Sequence, residues 1–130
     1  MSAHDELRAL LQRYARAADE RDLDALAAVF LPTAVIEGAR GSQTLDEWLA
    51  AMAAPRAFPV SMHVLGEPLL AVDEDAGTAT LDTYAVVYQL GDAGAGQGDL
   101  TLGIRYDDEA VRHEGRWVVA HRRARTIWSR

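Results

Sequence analysis

The chain contains neither cysteine nor lysine. Without cysteine there is no disulfide framework, no thiolate nucleophile and no Cys-based zinc site. Without lysine there is no Schiff-base amine and no P-loop lysine, and all 13 basic residues are arginines. Long apolar runs are also missing. None approaches the roughly 20 residues that cross a bilayer, and the opening MSAHDELRALLQRY is a charged amphipathic stretch without a signal-peptide core. No membrane partner is expected, and the expected location is cytoplasmic. Positive charge is scarce: 13 basic against 20 acidic residues give a net charge of -7, and no basic patch interleaves with stacking aromatics. A phosphate backbone would be repelled, so nucleic acid is not an expected partner. There is no G-x-S-x-G, no Gly-rich dinucleotide or phosphate loop and no His pair at i, i+4. The expected chemistry therefore uses no metal and no cofactor.

What is present is the balance of an ordinary globular domain. Hydrophobic residues make up 49% and charged residues 25% of 130 positions, enough for one core and one domain over residues 1–130. Leu7, Leu10, Leu11, Tyr14 and Ala18 recur at three-to-four spacing and predict a helix over 2–20. A second, shorter helix starts near Asp22 or Asp24, turns Leu23, Leu26, Ala27 and Phe30 inward and is stopped by Pro32. TAVIEGARG reads as a strand entering a Gly-rich turn. TLDEWLAAMAA reads as a third helix with capping-box spacing between Thr44 and Glu47. From residue 60 the period becomes two: VSMHVLGEPLLAVD, GTATLDTYAVVYQL, DLTLGIRYDDEAVRH and GRWVVAHRRARTIW are expected as four long antiparallel strands, the first bent at Gly66 and Pro68. The order is α+β: three helices in the N-terminal half wrapping a curved sheet, a cone whose open end can hold a small molecule.

Four histidines are available for acid–base work near neutrality. His4 lies in a terminal helical turn and His113 in the RHEG turn, where both are simply solvated. His63 stands inside the apolar strand SMHVLG, where an unpaired imidazole is costly, so it needs a partner. That partner is either a backbone carbonyl in a packed core or a catalytic group. Asp19 sits toward the C-terminus of the first helix, against its dipole. It is either a solvated member of the cluster Asp19, Glu20, Arg21, Asp22 or a residue placed there for a purpose.

The stretch YARAADERDLDALAAVFLPTAVIE resembles the opening helices of scytalone dehydratase, hexachlorocyclohexane dehydrochlorinase and the wider SnoaL-like group. SMHVLGEPLLAVD is similar to their His-bearing strand, and GIRYDDEAVRHEGRWVVAHRR to their last hairpin. The resemblance runs through nearly the whole chain and implies the nuclear transport factor 2-like, cystatin-like fold. It implies a catalytic dyad in which Asp19 orients His63, with Tyr14 at the substrate oxygen through a spacing shared with bile-acid dehydratases. It further implies Arg112 at the substrate or leaving group. It also implies departures, since Tyr88 falls where scytalone dehydratase has a second His and Gly38 where it has a pocket Tyr. Trp48, Tyr84, Tyr88 and His121 join Arg112 as expected substrate-binding residues; His121 alternates with Trp117 and Val119, which makes it either a pocket residue or a packed strand residue. Met52, Trp117 and Trp128 are either further pocket walls or ordinary core. The implied activity is a cofactor-independent lyase or isomerase acting on a small, mostly apolar carbonyl compound, with a homodimer or homotrimer expected. A non-catalytic binder or accessory protein, a polyketide cyclase and an epoxide hydrolase remain open alternatives on the same fold.

Overall fold

A computed structural model describes residues 1–130. Helix α1 spans Ala3–Glu20 and begins where the Ser2 hydroxyl accepts the Asp5 N–H at 3.1 Å. Its apolar stripe buries Leu7, Leu10, Leu11 and Tyr14 completely or nearly so. It ends in a Schellman pattern: Asp22 N–H donates to the Ala17 carbonyl, while Arg21 adopts the left-handed region at φ 55. Helix α2, Leu23–Val29, is capped by Asp22 and already ends before Phe30. Pro32, expected to stop it, lies inside strand β1, Phe30–Gly38. Helix α3, Leu45–Ala53, has the predicted capping box, with Thr44 and Glu47 satisfying each other's backbone N–H groups. No helix is long and apolar enough to cross a membrane.

Seven strands form one mixed sheet: β1, β2 (Gly41–Thr44), β3 (Val60–Leu65), β4 (Leu69–Asp73), β5 (Thr78–Leu90), β6 (Leu100–His113) and β7 (Arg116–Ser129). The order across it is β2-β1-β7-β6-β5-β3, with β4 also on β5. The expected bend at Gly66 and Pro68 is a true break. It divides VSMHVLGEPLLAVD into β3 and β4, which lie end to end along β5. Two features differ from the sequence expectation. The Gly-rich turn after β1 folds back into β2, and β1 joins β7 in parallel. Both depend on long-range pairing that a local period does not encode.

Strand β7 has two register shifts against β6, one of them between the pairs Glu109–His121 and Ala110–Val119. Each extra residue bends the sheet and exchanges the faces of everything beyond it. The sheet therefore curves around α1–α3, and their shared core contains Leu26, Phe30, Ile36, Trp48, Leu81, Ala85 and Val119. The three helices and curved sheet are the expected α+β cone.

Candidate active site

The end of α1 meets strand β3 at Asp19. Its Oδ2 accepts the His63 backbone N–H at 2.9 Å. Its Oδ1 accepts from the Ser61 hydroxyl at 3.0 Å and lies 2.6 Å from His63 Nδ1. Three donors thus saturate one carboxylate, which explains an Asp placed against the helix dipole. A carboxylate at Nδ1 fixes the proton there and leaves Nε2 as the basic nitrogen. Arg56 supports the arrangement from the segment after α3, donating to the Asp19 carbonyl at 3.2 Å and to Ser61 Oγ at 3.1 Å.

His63, but not Asp19, lines a cavity of ≈ 490 Å³ at the wide end of the cone. Burial pushes the His63 pKa below the ordinary 6.5; the Asp19 hydrogen bond and charge pull it upward, and the charges of Arg122 and Arg21 add to the lowering. Burial wins, so the ring is neutral at pH 7 and available as a base. The unfolded chain then binds more protons than the native one just below pH 6.5. The His63 contribution to stability is present above 6.5 and is lost as pH falls through the depressed native value. Urea midpoints against pH should show this decline, which His63→Gln should remove.

The cavity floor is built on Arg122. Its Nε and Nη2 donate to the two oxygens of Asp108 at 2.8 and 2.9 Å, both side chains being essentially inaccessible. The guanidinium lies between two tyrosine rings, 4.0 Å from the Tyr14 centroid and 4.1 Å from that of Tyr106. Burial alone would depress its pKa, but Asp108 and the tyrosines hold it above its ordinary value. Burial also pushes Tyr106 well up, so its phenol stays protonated. Nη1 of Arg122 is buried without a partner, in a side chain that borders the cavity. An orphaned charged donor at such a position can accept a ligand oxygen as its partner.

Tyr14 and Trp48 line this cavity as expected, with Met52 beside them. Tyr14 is edge-on to His63, ring centroids 5.9 Å apart, and belongs to the floor and not to the mouth. Gly38 lies on the wall, where the resemblance leaves a pocket tyrosine missing.

Four expected binding residues lie elsewhere. Tyr84 and Tyr88 are 60% and 38% exposed on the outer face of the sheet. The inward set on β5 is Leu81, Thr83, Ala85 and Val87, so the resemblance that put Tyr88 in the pocket pointed to the wrong face. His121 was expected to alternate with Trp117 and Val119. The extra residue at Ala120 turns it outward onto Glu37, 2.9 Å away, and turns Arg122 inward. Arg112 lies six residues along β6 from Tyr106, ~20 Å toward the opposite end. There it stacks 4.8 Å from the Trp117 ring and pairs with Glu6. Trp117 is buried in the core and Trp128 lies on the outer face, so neither is a cavity wall. The residues of this candidate site that the sequence did not lead one to expect are Arg122, Asp108, Tyr106, Arg56 and Ser61. Only an Arg and an Asp on neighbouring strands hinted at the buried pair.

The SnoaL-like domain family matches residues 1–123. The chain belongs to the SnoaL-like family. The uncharacterised protein Rv2910c of Mycobacterium tuberculosis is 32% identical over 123 residues, covering 90% of this chain and 80% of the relative. Among solved structures, this SnoaL-like chain superposes on a scytalone dehydratase candidate from Novosphingobium aromaticivorans with TM-score 0.84 and 16% identity, covering 97% of this chain and 85% of the other. A type 2 hexachlorocyclohexane dehydrochlorinase gives TM-score 0.84 at 13% identity, covering 97% and 86%. An NTF2-like protein with a cystatin-like fold from N. aromaticivorans gives 0.80 at 20%, covering 95% and 80%. These likenesses establish the fold of the SnoaL-like chain as the cystatin-like cone.

Proposed function

We propose that this SnoaL-like protein is a cofactor-independent lyase or isomerase that moves a proton next to the carbonyl of a small molecule. One observation carries the reading: the 2.6 Å contact of Asp19 with His63 Nδ1, in a His63 that borders a ligand-sized cavity. His63 Nε2 removes the proton, and Asp19 stabilises the imidazolium that forms. Negative charge moves onto the carbonyl oxygen, where Arg122 Nη1 and the Tyr14 phenol are the donors on the floor. Return of the proton to a different carbon completes an isomerisation. Its delivery to a departing β-hydroxyl releases water and completes a dehydration. Ile36, Trp48, Met52 and Ile104 supply apolar wall against the carbon skeleton.

The test needs no knowledge of the natural substrate. In D₂O, the protein should catalyse deuterium incorporation beside the carbonyl of at least some cyclic ketones and enones, read by proton NMR. No exchange with any of them above the buffer rate would count for the non-catalytic binder.

The outer face of the sheet supports a further proposal, association with a second copy. Cross-strand pairing places Val60 beside Leu90, Met62 beside Tyr88 and Val64 beside Val86, with Gly103 and Trp128 continuing the patch. Val60, Met62, Val64, Tyr84, Tyr88, Leu90 and Trp128 are each 38–60% exposed. Contiguous apolar surface of this kind marks an interface. Light scattering should give a mass above 14.2 kDa, and Met62→Arg with Tyr84→Arg should return it to that of one chain. A wild-type mass of one chain at high concentration would refute the association.

A further inference from the structure

The cavity is cationic in a chain that is strongly acidic overall. Arg21, Arg40, Arg56 and Arg122 line it, with Glu37 as the lone acidic residue in the lining. Glu37 is held by His121 on the far side of its strand, and the Asp19 carboxylate is already saturated by three donors behind His63. Arg122 is the buried floor. The other three come from separate segments: Arg21 ends α1, Arg40 lies in the turn between β1 and β2, and Arg56 follows α3. They surround the opening, where Gly38, Ala39, Pro55 and Ala57 are exposed.

The partnering of the arginines separates this rim from the rest of the surface. Arg105 and Arg122, the other arginines withdrawn from solvent, each have a carboxylate within hydrogen-bond distance. The remaining unpaired arginines are exposed. Arg21 and Arg56 alone are both partly buried and without a carboxylate partner, and the Nε of each is buried without any partner. Arg21 spends Nη1 on the Met52 carbonyl at 3.0 Å. Burial lowers its pKa, and the neighbouring charges of Arg56 and Arg40 lower it further. Clustered like charges out of solvent are unfavourable until an anion joins them. Arg21 is also held at φ 55, a conformation that suits Gly or Asn and disfavours an arginine. Strain retained at a cavity rim, on a side chain that faces like charges, points to a use for that side chain.

We infer that the ligand of this cavity carries a carboxylate, bound at the mouth by Arg21 and Arg56 with Arg40 assisting, while its reacting end reaches toward His63 and Arg122. The inference rests on the proton-transfer reading only for which end of the ligand reacts. A planar carboxylate matches the guanidinium fork, and it would relieve the repulsion among the three arginines.

The probe pair is 2-naphthoate and 2-naphthamide, equal in shape and differing in charge, titrated calorimetrically into the whole protein. Naphthoate should bind roughly tenfold or more tightly at low salt, with the difference narrowing as salt is raised. Arg21→Asn and Arg40→Gln together, with Arg56 left in place, should cut the preference several-fold, whereas Arg116→Gln, at the start of β7, should leave it intact. Arg21→Asn alone should raise Tm by roughly 2–5 °C through relief of the left-handed strain while weakening naphthoate. A merely structural Arg21 would instead lower Tm. Equal binding of the two probes, no binding of naphthoate, or a preference undiminished by the double substitution would overturn the inference. His63→Ala should retain the preference, so a failed dyad and a failed anion site give different results.

Discussion

Replacing His63 with Ala is expected to slow deuterium exchange on an accepted ketone by ~10²–10⁴-fold, the range typical of a positioned general base. The substitution removes the nitrogen that takes the proton, while the cavity and the Arg122 floor remain. Asp19→Asn should fall in the same range for a different reason. The amide preserves size but can present its NH₂ to Nδ1, which favours the wrong tautomer and removes the charge that stabilises the imidazolium. Because Asp19 also accepts the His63 N–H and the Ser61 hydroxyl, circular dichroism must accompany the rate. The double variant should be little slower than either single variant, since the two residues act as one unit. Wild-type exchange in both folded variants would show that the pair is structural.

The second large effect falls on stability. Asp108→Ala is expected to destabilise the protein by ~3–5 kcal/mol, because it leaves the Arg122 guanidinium buried without its counter-ion. Asp108 and Arg122 are 2% and 1% exposed, so water cannot substitute for the lost partner. Asp108→Leu combined with Arg122→Met should recover most of that loss, since two apolar side chains of similar size leave no orphaned charge. Urea midpoints read both changes. The double variant is also informative about the cavity: a folded protein that has lost exchange would assign Arg122 to the oxygen, whereas full exchange would reduce it to a structural pillar. An Asp108→Ala variant as stable as wild type would refute the burial argument.

The helices were legible because their signals are local. The three-to-four spacing of Leu7, Leu10, Leu11 and Tyr14, and the Thr44–Glu47 capping box, act within a turn or two and were found where expected. His63 was legible as a histidine in need of a partner, because an apolar strand on either side makes an unpaired imidazole costly. That Asp19 is this partner came from resemblance, since the two lie 44 residues apart. The sheet's faces were the weakest reading. Tyr84 and Tyr88 were placed inward because Tyr88 falls where the resembled scytalone dehydratase has a second His, and His121 for its alternation with Val119, and both assignments failed.

By itself, the sequence limited the groups available for chemistry. Lacking cysteine, lysine and phosphate loops, it left an imidazole and carboxylates to move protons, and its periods determined an α+β order. Tertiary structure decided which side chains share the cavity. A single extra residue at Ala120 exchanges the faces of β7, sending His121 out and bringing Arg122 against Asp108, Tyr14 and Tyr106. Convergence of Arg21, Arg40 and Arg56 likewise depends on three chain segments meeting at one rim. Register and long-range approach are properties of the folded chain as a whole, because the free energy that selects them is spread over every strand pair and not written in any local period.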